Sequence, residues 1–373
     1  MQRSNERILT THVGSLARPH DLLEVMREKE HGRPYDADGY HRSVTTAVAD
    51  VVARQVDAGI DVVTDGEMGK VSFLTYVKDR LSGFAADSGE KLMPPSWQVE
   101  IDAFPEYYAG YLGKYTEQVS PMTTMVCTGP ITYVGQEQVA ADITNLRAAL
   151  EGRDATEAFL PSTSPSGFGR NEHYGSHGEY LAIVDAGFLL QVDDPWLIEY
   201  LSENPATTPE QRRRDAEQHV EILAHALRGI PREKIRLHTC YGLNHGPRVH
   251  DLDLRDIAPL MLRIPAGAYS FEVANPRHQH EWKIWRDIPR DDGVILIPGL
   301  LGHATNYVEH PELIADQIEQ YAGIVGRENV IAGADCGFSS RASFAPEVHP
   351  SVVWEKFRAL SAGAKLASER LWR

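Results

Sequence analysis

The stretch Lys234-Ile-Arg-Leu-His-Thr-Cys240 decides the fold, because it is an apolar run that ends in a histidine and a cysteine. Such a run predicts a buried strand. A second run, Val330-Ile-Ala-Gly-Ala-Asp-Cys-Gly-Phe338, has the same character and places Cys336 near its end. Two of the three cysteines in the chain are therefore expected at the ends of strands.

Six further runs of this kind occur along the chain, and they alternate with longer segments of helical period. The eight runs are residues 8–15, 61–67, 123–133, 188–195, 234–240, 268–274, 293–301 and 330–338. Parallel strands joined by crossover helices produce this alternation, and eight such strands close a barrel. The sequence therefore predicts an α/β protein with the TIM (β/α)8 barrel fold.

The helical segments between these runs support the same fold. Residues 40–60 carry apolar side chains at a spacing close to 3.6, which predicts a crossover helix. Residues 210–229 and 312–326 repeat the pattern and each ends at a glycine, a common helix terminator. Residues 350–372 would form the closing helix.

Two segments interrupt the alternation. Residues 70–122 contain Pro94-Pro95, many aromatic side chains and mixed charge, which predicts an inserted lid or helical segment after the second strand. Residues 156–174 are rich in proline, serine, threonine and glycine, which predicts a loop. We therefore expect residues 1–373 to form one barrel domain, with insertions after strands 2 and 3.

Composition narrows the class of partner. The 373 residues carry a net charge of −16, which argues against binding to nucleic acid or to an anionic membrane surface and favours small molecules. No apolar segment approaches the ~18 residues that span a bilayer, and the first residues lack the apolar stretch of a signal peptide. We expect a cytoplasmic protein with reduced thiols.

Polar side chains cluster where the predicted strands end. Active sites of such barrels lie at the carboxyl ends of the strands, where the loops converge. The side chains expected there are His238, Cys240, Glu272, Cys336 and Asp193. A histidine and two cysteines suit zinc and leave one tetrahedral position for a carboxylate, a water or a substrate. The alternative is that the cysteines are simply small buried apolar residues.

Two arginines follow the candidate metal ligands in sequence. Arg248 comes after His238 and Cys240, and Arg277 comes after Glu272, so both are expected near the same mouth of the barrel. Either guanidinium could bind a carboxylate, sulfonate or phosphate of a substrate, or could pair with one of the many acidic side chains. The sequence does not choose between these roles.

Seven short motifs, in this order along most of the chain, resemble those of one enzyme family. They are Thr11-His-Val-Gly-Ser-Leu16, Asp61-Val-Val-Thr-Asp-Gly-Glu67, Gly129-Pro-Ile-Thr132, Gln191-Val-Asp-Asp-Pro195, His238-Thr-Cys240, Ser270-Phe-Glu272 and Ala334-Asp-Cys336. The chain resembles the catalytic barrel of cobalamin-independent methionine synthase and its single-domain relatives, which include epoxyalkane:coenzyme M transferase.

The resemblance implies a zinc ion held by His238, Cys240, Glu272 and Cys336, with the carboxylate yielding when a substrate thiol arrives. Zinc removes the proton from a bound thiol and keeps the sulfur nucleophilic, so that the thiolate can attack an alkyl carbon. The implied chemistry is therefore alkyl transfer to sulfur.

The resemblance also implies a binding site for homocysteine, with Glu67 and Asp193 on its ammonium and Ser15 on its carboxylate. Asp194 could take the role of Asp193, and each of these residues could instead brace the rim or a turn. His303 would deliver a proton to the leaving group, although the spacing around it departs from the family pattern.

Three functions follow as alternatives. The first is a zinc-dependent S-methyltransferase that makes methionine from homocysteine. The second is a transferase that opens an epoxide with coenzyme M or another thiol. The third is a non-catalytic or metal-free binding barrel. The alkyl donor could be methyl-folate, another methyl carrier or an epoxide, and methyl-folate is the less expected because the chain starts at the catalytic barrel. The oligomeric state, including a homo-oligomer, stays open.

Overall fold

The computed structural model describes residues 1–86, 94–112, 119–120, 125–165, 176–242 and 245–373. Its strands, in chain order, are β1 (Leu9–Thr10), β2 (Val62–Thr64), β3 (Leu81–Ala86), β4 (Met125–Tyr133), β5 (Glu157–Thr163), β6 (Leu189–Asp193), β7 (Ile235–Thr239), β8 (Ala268–Phe271), β9 (Ile295–Pro298) and β10 (Ile331–Ala332). Eight of these strands surround one central axis as a parallel barrel, which confirms the predicted fold class.

Hydrogen bonding runs in sequence order around the barrel. Strands β2, β5, β6, β7, β8 and β9 form one parallel sheet, and β1 pairs with β10. Parallel bridges from Thr11 to Val62 and from Gly299 to Gly333 join these two sheets and close the ring. The closed ring brings the carboxyl ends of all eight strands to one rim.

The helices are α1 (His20–Glu30), α2 (Ala37–Asp57), α3 (Pro95–Ala103), α4 (Pro105–Leu112), α5 (Gln136–Leu150), α6 (Ser176–Asp185), α7 (Trp196–Leu201), α8 (Pro209–Ala226), α9 (Leu254–Met261), α10 (Pro311–Val325) and α11 (Pro350–Leu371). The helices predicted at residues 40–60, 210–229, 312–326 and 350–372 are confirmed as α2, α8, α10 and α11. Each buries an apolar face in the core around the barrel, because its apolar residues recur at the helical spacing.

The prediction for the third barrel strand was wrong. Residues 123–133 were expected to fill this place, but β4 pairs antiparallel with β3 in a hairpin outside the ring. The third barrel strand is β5, which lies in the stretch 156–174 that was predicted to be a loop. Residues 123–124 and 166–174 of these two predictions lie outside the described residues.

The reason for this error is chemical. Strand β5 ends in Pro161, Ser162 and Thr163, which are typical of turns, yet these side chains are buried. Their polar groups are satisfied by tertiary contacts, since the Ser162 hydroxyl donates to Glu179 Oε1 over 3.0 Å. Strand β4 has the β-branched composition of a core strand, but several of its side chains are exposed.

Residues 70–122 were predicted to be an insertion, and residues 87–93, 113–118 and 121–122 of this segment lie outside the described residues. Its described part holds a short 3₁₀ helix (Thr75–Asp79), strand β3 and helices α3 and α4. Strand β3 pairs with β4, which follows this segment, and α5 then leads into β5. Helix α3 reaches the rim of the barrel, where its side chains line a cavity together with His238. Within the described part of the chain, no helix is both long enough and apolar enough to cross a bilayer.

Candidate metal and substrate site

Three soft donors meet at the rim of the barrel. His238 lies in β7, Cys240 follows this strand directly, and Cys336 lies in the loop after β10. The two sulfur atoms are 3.4 Å apart, and the donor atoms of all three side chains lie within 4.8 Å of one another. All three side chains are buried. Closure of the ring therefore brings together the histidine and cysteines that the sequence placed at strand ends.

The imidazole of His238 has the orientation of a metal ligand. Its Nδ1 lies 3.1 Å from the hydroxyl oxygen of Ser270 on the adjacent strand. Its Nε2 is buried and has no hydrogen-bond partner among the described residues. Ligating histidines commonly use one ring nitrogen for a supporting hydrogen bond and the other for the metal. This orphaned nitrogen beside two thiols fits a bound metal ion.

The pKa values of the two thiols are shifted in opposite directions. Contact with Cys336 is the largest cause that lowers the pKa of Cys240, and the His238 ring lowers it further. The same contact raises the pKa of Cys336, and burial adds to that rise. A thiolate is therefore favoured at Cys240, and thiolates rather than thiols bind metals.

Glu272, the fourth expected ligand, lies beside this group and is held by other residues. Its Oε1 accepts a hydrogen bond from the Arg248 guanidinium, and its Oε2 accepts one from the Tyr241 backbone N–H over 3.1 Å. It belongs to a second buried group with His303 and Asp335, whose ligand atoms also lie within 4.8 Å of one another. The structure thus brings three of the four expected ligands into one cluster.

The two arginines occupy different environments. Arg248 is buried, adopts a left-handed backbone conformation with φ of 61°, and pairs with Glu272 and Asp251. Pairing with an acid was one of the two alternatives that the sequence left open. Arg277 donates from Nε to the backbone oxygen of Arg248 over 3.1 Å. Both guanidinium groups therefore make contacts within the protein.

His303 lies beside Glu272. Its Nε2 is 3.2 Å from the backbone oxygen of Gly242, and its Nδ1 is 4.0 Å from Glu272 Oε1. This Nδ1 has no hydrogen-bond partner within the described part of the chain. Burial lowers the pKa of His303, so the neutral ring is favoured. The ring is not among the described residues that line the cavity in front of the thiols.

Two buried carboxylates line the same cavity as the thiols. Asp193 ends β6 and is the register partner of His238 in β7, and Glu67 follows β2 in a left-handed backbone conformation with φ of 57°. Burial raises the pKa of Asp193 to about 7, and the nearby charge of Glu67 contributes to that rise. Glu67 Oε2 is buried without a hydrogen-bond partner among the described residues. The carboxylates of Glu67 and Asp193, which we call the acidic wall of the cavity, therefore favour binding of a cation.

Asp194 points away from this wall. Its oxygens lie 2.8 and 2.9 Å from His219 Nε2, and the Ser164 hydroxyl donates to Oδ1 over 3.1 Å. Asp193, in contrast, lines the cavity. The geometry therefore favours Asp193 over Asp194 as the residue that faces a substrate.

Ser15 joins its loop to the loop that carries Cys336. Its hydroxyl lies 3.2 Å from that of Ser340, and its backbone oxygen accepts a hydrogen bond from Phe338 N–H over 3.0 Å. Gly337 packs closely against the hydroxyls of Ser15 and Ser340, since a Cβ atom at this position would lie 2.0 Å from Ser15 Oγ. A side chain at Gly337 would displace Ser15, Cys336 or both.

A cavity of about 240 Å³ opens above these groups. Its lining includes Ser15, Glu67, Asp193, His238, Cys240, Cys336, Arg248, Trp97, Glu100, Trp196 and Glu199. The residues from α3 and α7 were not predicted. Trp196 directly follows the motif Gln191-Val-Asp-Asp-Pro195, so its position could have been inferred from that strand end. Trp97 and Glu100 lie in the insertion, where no strand end marks them.

Comparisons with known proteins agree with the resemblance that the motifs indicate. Residues 8–151 match the family described as "Cobalamin-independent synthase, Catalytic domain". A methionine synthase of Sulfurisphaera tokodaii is 22% identical over 377 residues, covering 97% of this chain and 93% of that protein. A methionine synthase of Methanothermobacter marburgensis is 22% identical over 338 residues, covering 88% and 93%.

Solved structures share the fold. A B12-independent methionine synthase from Shewanella sp. W3-18-1, in complex with selenomethionine, superposes with a TM-score of 0.72 at 18% identity, covering 98% of this chain and 99% of that one. A putative enzyme of the same kind from Listeria monocytogenes gives a TM-score of 0.63 at 19% identity, covering 96% and 98%. The resemblance expected from the motifs is confirmed: the chain is similar in sequence to methionine synthases and shares the fold of B12-independent methionine synthases.

Proposed function

We propose that this protein is a zinc-dependent S-methyltransferase that transfers a methyl group to the sulfur of homocysteine and so forms methionine. One observation carries the proposal: His238, Cys240 and Cys336 meet at the floor of a cavity whose wall holds the buried carboxylates of Glu67 and Asp193. One cavity therefore holds both the groups for thiol chemistry and the groups that would bind a cation. The names of the relatives point to the same reaction.

Zinc is the proposed metal because one imidazole and two thiolates are the donors that it prefers. His238, Cys240 and Cys336 would hold it, with Glu272 as the proposed fourth ligand. When bound, zinc would supply a deprotonated, nucleophilic sulfur at neutral pH. Glu272 is already held by Arg248 and the Tyr241 N–H, and these contacts compete with its use as a ligand. Such competition suits a ligand that must give way to a substrate thiol.

Homocysteine is the proposed acceptor because its ammonium complements the acidic wall. Glu67 Oε2 lacks a partner among the described residues, and Asp193 is costly to ionise in its buried position. An ammonium between them would offset that cost and provide hydrogen-bond donors. We assign the Ser15 hydroxyl and backbone N–H to the substrate carboxylate. The role of His303 as proton donor stays a prediction, since it requires the ring to reach the cavity.

The epoxide-opening alternative is less well supported. Coenzyme M carries a sulfonate, and the carboxylates of Glu67 and Asp193 would repel an anion at this wall. Arg248 could attract it, but its charge is compensated by Glu272 and Asp251. A binding barrel without metal chemistry would have no need of the cluster of His238 and two thiols.

The test combines metal analysis with a comparison of thiols. We expect one zinc per chain by plasma mass spectrometry, binding of homocysteine, and formation of methionine with a competent methyl donor. Glu67→Gln should weaken homocysteine binding by about 10-fold to 100-fold, since an ion pair in a buried site is lost. Glu221→Gln, an exposed change on α8, is the matched control. Absence of zinc, or preference for 2-mercaptoethanesulfonate over homocysteine, would contradict the proposal.

A further inference from the structure

We propose that the methyl donor is a small methyl-onium cation, a sulfonium or a quaternary ammonium, which binds between Glu100 and the indoles of Trp97 and Trp196. This inference rests on the proposed function, which leaves the donor open. It concerns the residues that α3 and α7 contribute to the lining of the cavity.

Glu100 is the first observation. This residue of α3 lines the cavity and is only 4% exposed. Both of its carboxylate oxygens are buried, and neither has a hydrogen-bond partner among the described residues. A buried carboxylate without a compensating partner is costly, so such groups are normally paired with a cation. Since the described part of the chain supplies no such hydrogen-bond partner, we assign this role to a ligand in the cavity.

The aromatic walls are the second observation. Trp97 and Trp196 line the same cavity as Glu100. The Ser96 hydroxyl, next to Trp97, donates to Glu199 Oε2 over 2.5 Å and so fastens α3 to α7. This bond fixes the two helices that carry the indoles. Indole faces attract onium cations through the quadrupole of the ring, and quaternary ammonium groups are recognised in this way.

The side chains that line the cavity indicate which type of cation would bind there. A primary ammonium has N–H groups that need hydrogen-bond acceptors on several sides, and the wall of Glu67 and Asp193 provides these. A methylated onium has no N–H donors, so it needs only charge compensation and apolar contact. One carboxylate and two indoles provide both. The cavity therefore offers different partners to the acceptor ammonium and to a donor onium.

The volume of the cavity and the chemistry of methyl transfer agree with a small onium donor. The cavity of about 240 Å³ is smaller than the roughly 300–1,000 Å³ that is usual for drug-sized ligands. In the reaction, the acceptor sulfur forms a bond to the methyl carbon while the bond from that carbon to the onium atom breaks. The electron pair stays on the leaving group, which departs as a neutral thioether or amine, and the thiol proton goes to solvent. No acid is needed at the leaving group, so an onium donor would not require the predicted proton-donor role of His303.

Binding is tested with an isosteric pair. Choline and 3,3-dimethylbutan-1-ol have the same shape, but only choline carries a positive charge. Calorimetric titration of the zinc-loaded protein should show choline bound at least about tenfold more tightly than the alcohol. In Glu100→Gln the ratio should fall to within about twofold, and Trp196→Phe should lower it to an intermediate value. Glu106→Gln, an exposed change on α4, should keep the wild-type ratio.

Transfer is tested on the same samples. Trimethylsulfonium and tetramethylammonium are offered with homocysteine, and methionine is measured by mass spectrometry to distinguish sulfonium from ammonium donors. Methionine from either cation, reduced in Glu100→Gln at an unchanged melting temperature, supports the proposal. Equal affinity for choline and the neutral alcohol would overturn it, as would no transfer from either cation. Zinc content and homocysteine affinity, measured beside these, show whether the proposed function itself has failed.

Discussion

The Sγ atoms of Cys240 and Cys336 lie 3.4 Å apart, although 96 positions separate them in sequence. The first follows β7 and the second follows β10, so only closure of the barrel brings them together. The barrel core, rather than the thiols, holds these strands in place. The proposed metal site would therefore be preformed by the fold, unlike that of a zinc finger, which folds only around its metal.

A first prediction concerns the cysteines. Cys240→Ser and Cys336→Ser should each lower zinc content below one per chain, because a hydroxyl is a poor ligand for zinc compared with a thiolate. The melting temperature of the metal-free protein should change little, since the core remains intact. Cys127→Ser is the matched control, because Cys127 is exposed and lies in the outer hairpin. Loss of folding in either buried variant would show that the site is not preformed.

A second prediction concerns the buried ion pair of Arg248 and Glu272. Arg248→Met should lower the free energy of unfolding by about 3 kcal/mol, because it leaves a buried carboxylate uncompensated. Arg255→Met, which breaks an exposed pair with Asp287, should cost less than about 1 kcal/mol. Urea unfolding of the chelator-treated proteins measures both. Equal effects of the two changes would refute a structural role for the Arg248 pair.

A third prediction uses the pH dependence of stability. Burial lowers the pKa of His12 to about 4, although its Nε2 lies 2.8 Å from Gln55 Oε1. The unfolded chain, with a pKa of about 6.5, then binds more protons than the folded one between these values, so stability falls as the pH drops below about 6.5. Between pH 7 and pH 5 the wild type should lose about 2 kcal/mol more than His12→Asn.

Urea unfolding of the wild type and of His12→Asn at pH 7 and at pH 5 measures this difference between the two losses of stability. Contributions from other titrating groups are the same in both proteins and cancel. A loss of stability that is the same in both proteins would show that His12 is not held neutral by the fold.

A fourth prediction concerns the close packing of Gly337 against Ser15. Gly337→Ala should cost about 1–3 kcal/mol of stability, because the new methyl group would overlap Ser15 Oγ. It should also weaken homocysteine binding, since Ser15 and the adjacent Cys336 would move. Adding Ser15→Ala removes the overlapping oxygen and should restore part of the stability. Additive effects of the two changes in this double-mutant cycle would argue against the contact.

Much of the fold could be predicted from the sequence because the barrel strands β6 to β9 are short runs that are rich in apolar residues and buried throughout. Strand β5 could not be predicted, since Pro161 and its neighbours have the composition of a turn. Only the fold shows that Tyr76 and Glu179 form hydrogen bonds with the hydroxyl of Ser162 in this strand. The hairpin strand β4 was mistaken for a barrel strand, because β-branched composition does not distinguish an outer hairpin from a buried strand.

The site was partly predictable for a similar reason. His238, Cys240 and Cys336 could be placed because strand ends of a closed barrel converge. The partner of Glu272 could not be predicted. This partner, Arg248, lies in a loop and has a left-handed backbone conformation. Glu100 carries no signal in the sequence, since its burial depends on how α3 packs over the rim.

The most direct test of the central claim is X-ray absorption spectroscopy at the zinc edge, with and without homocysteine. We predict one zinc per chain with two sulfur ligands, from Cys240 and Cys336, and a third sulfur when homocysteine is added. Zinc with an unchanged number of sulfur ligands in the presence of homocysteine, or protein that binds no zinc at all, would contradict the account.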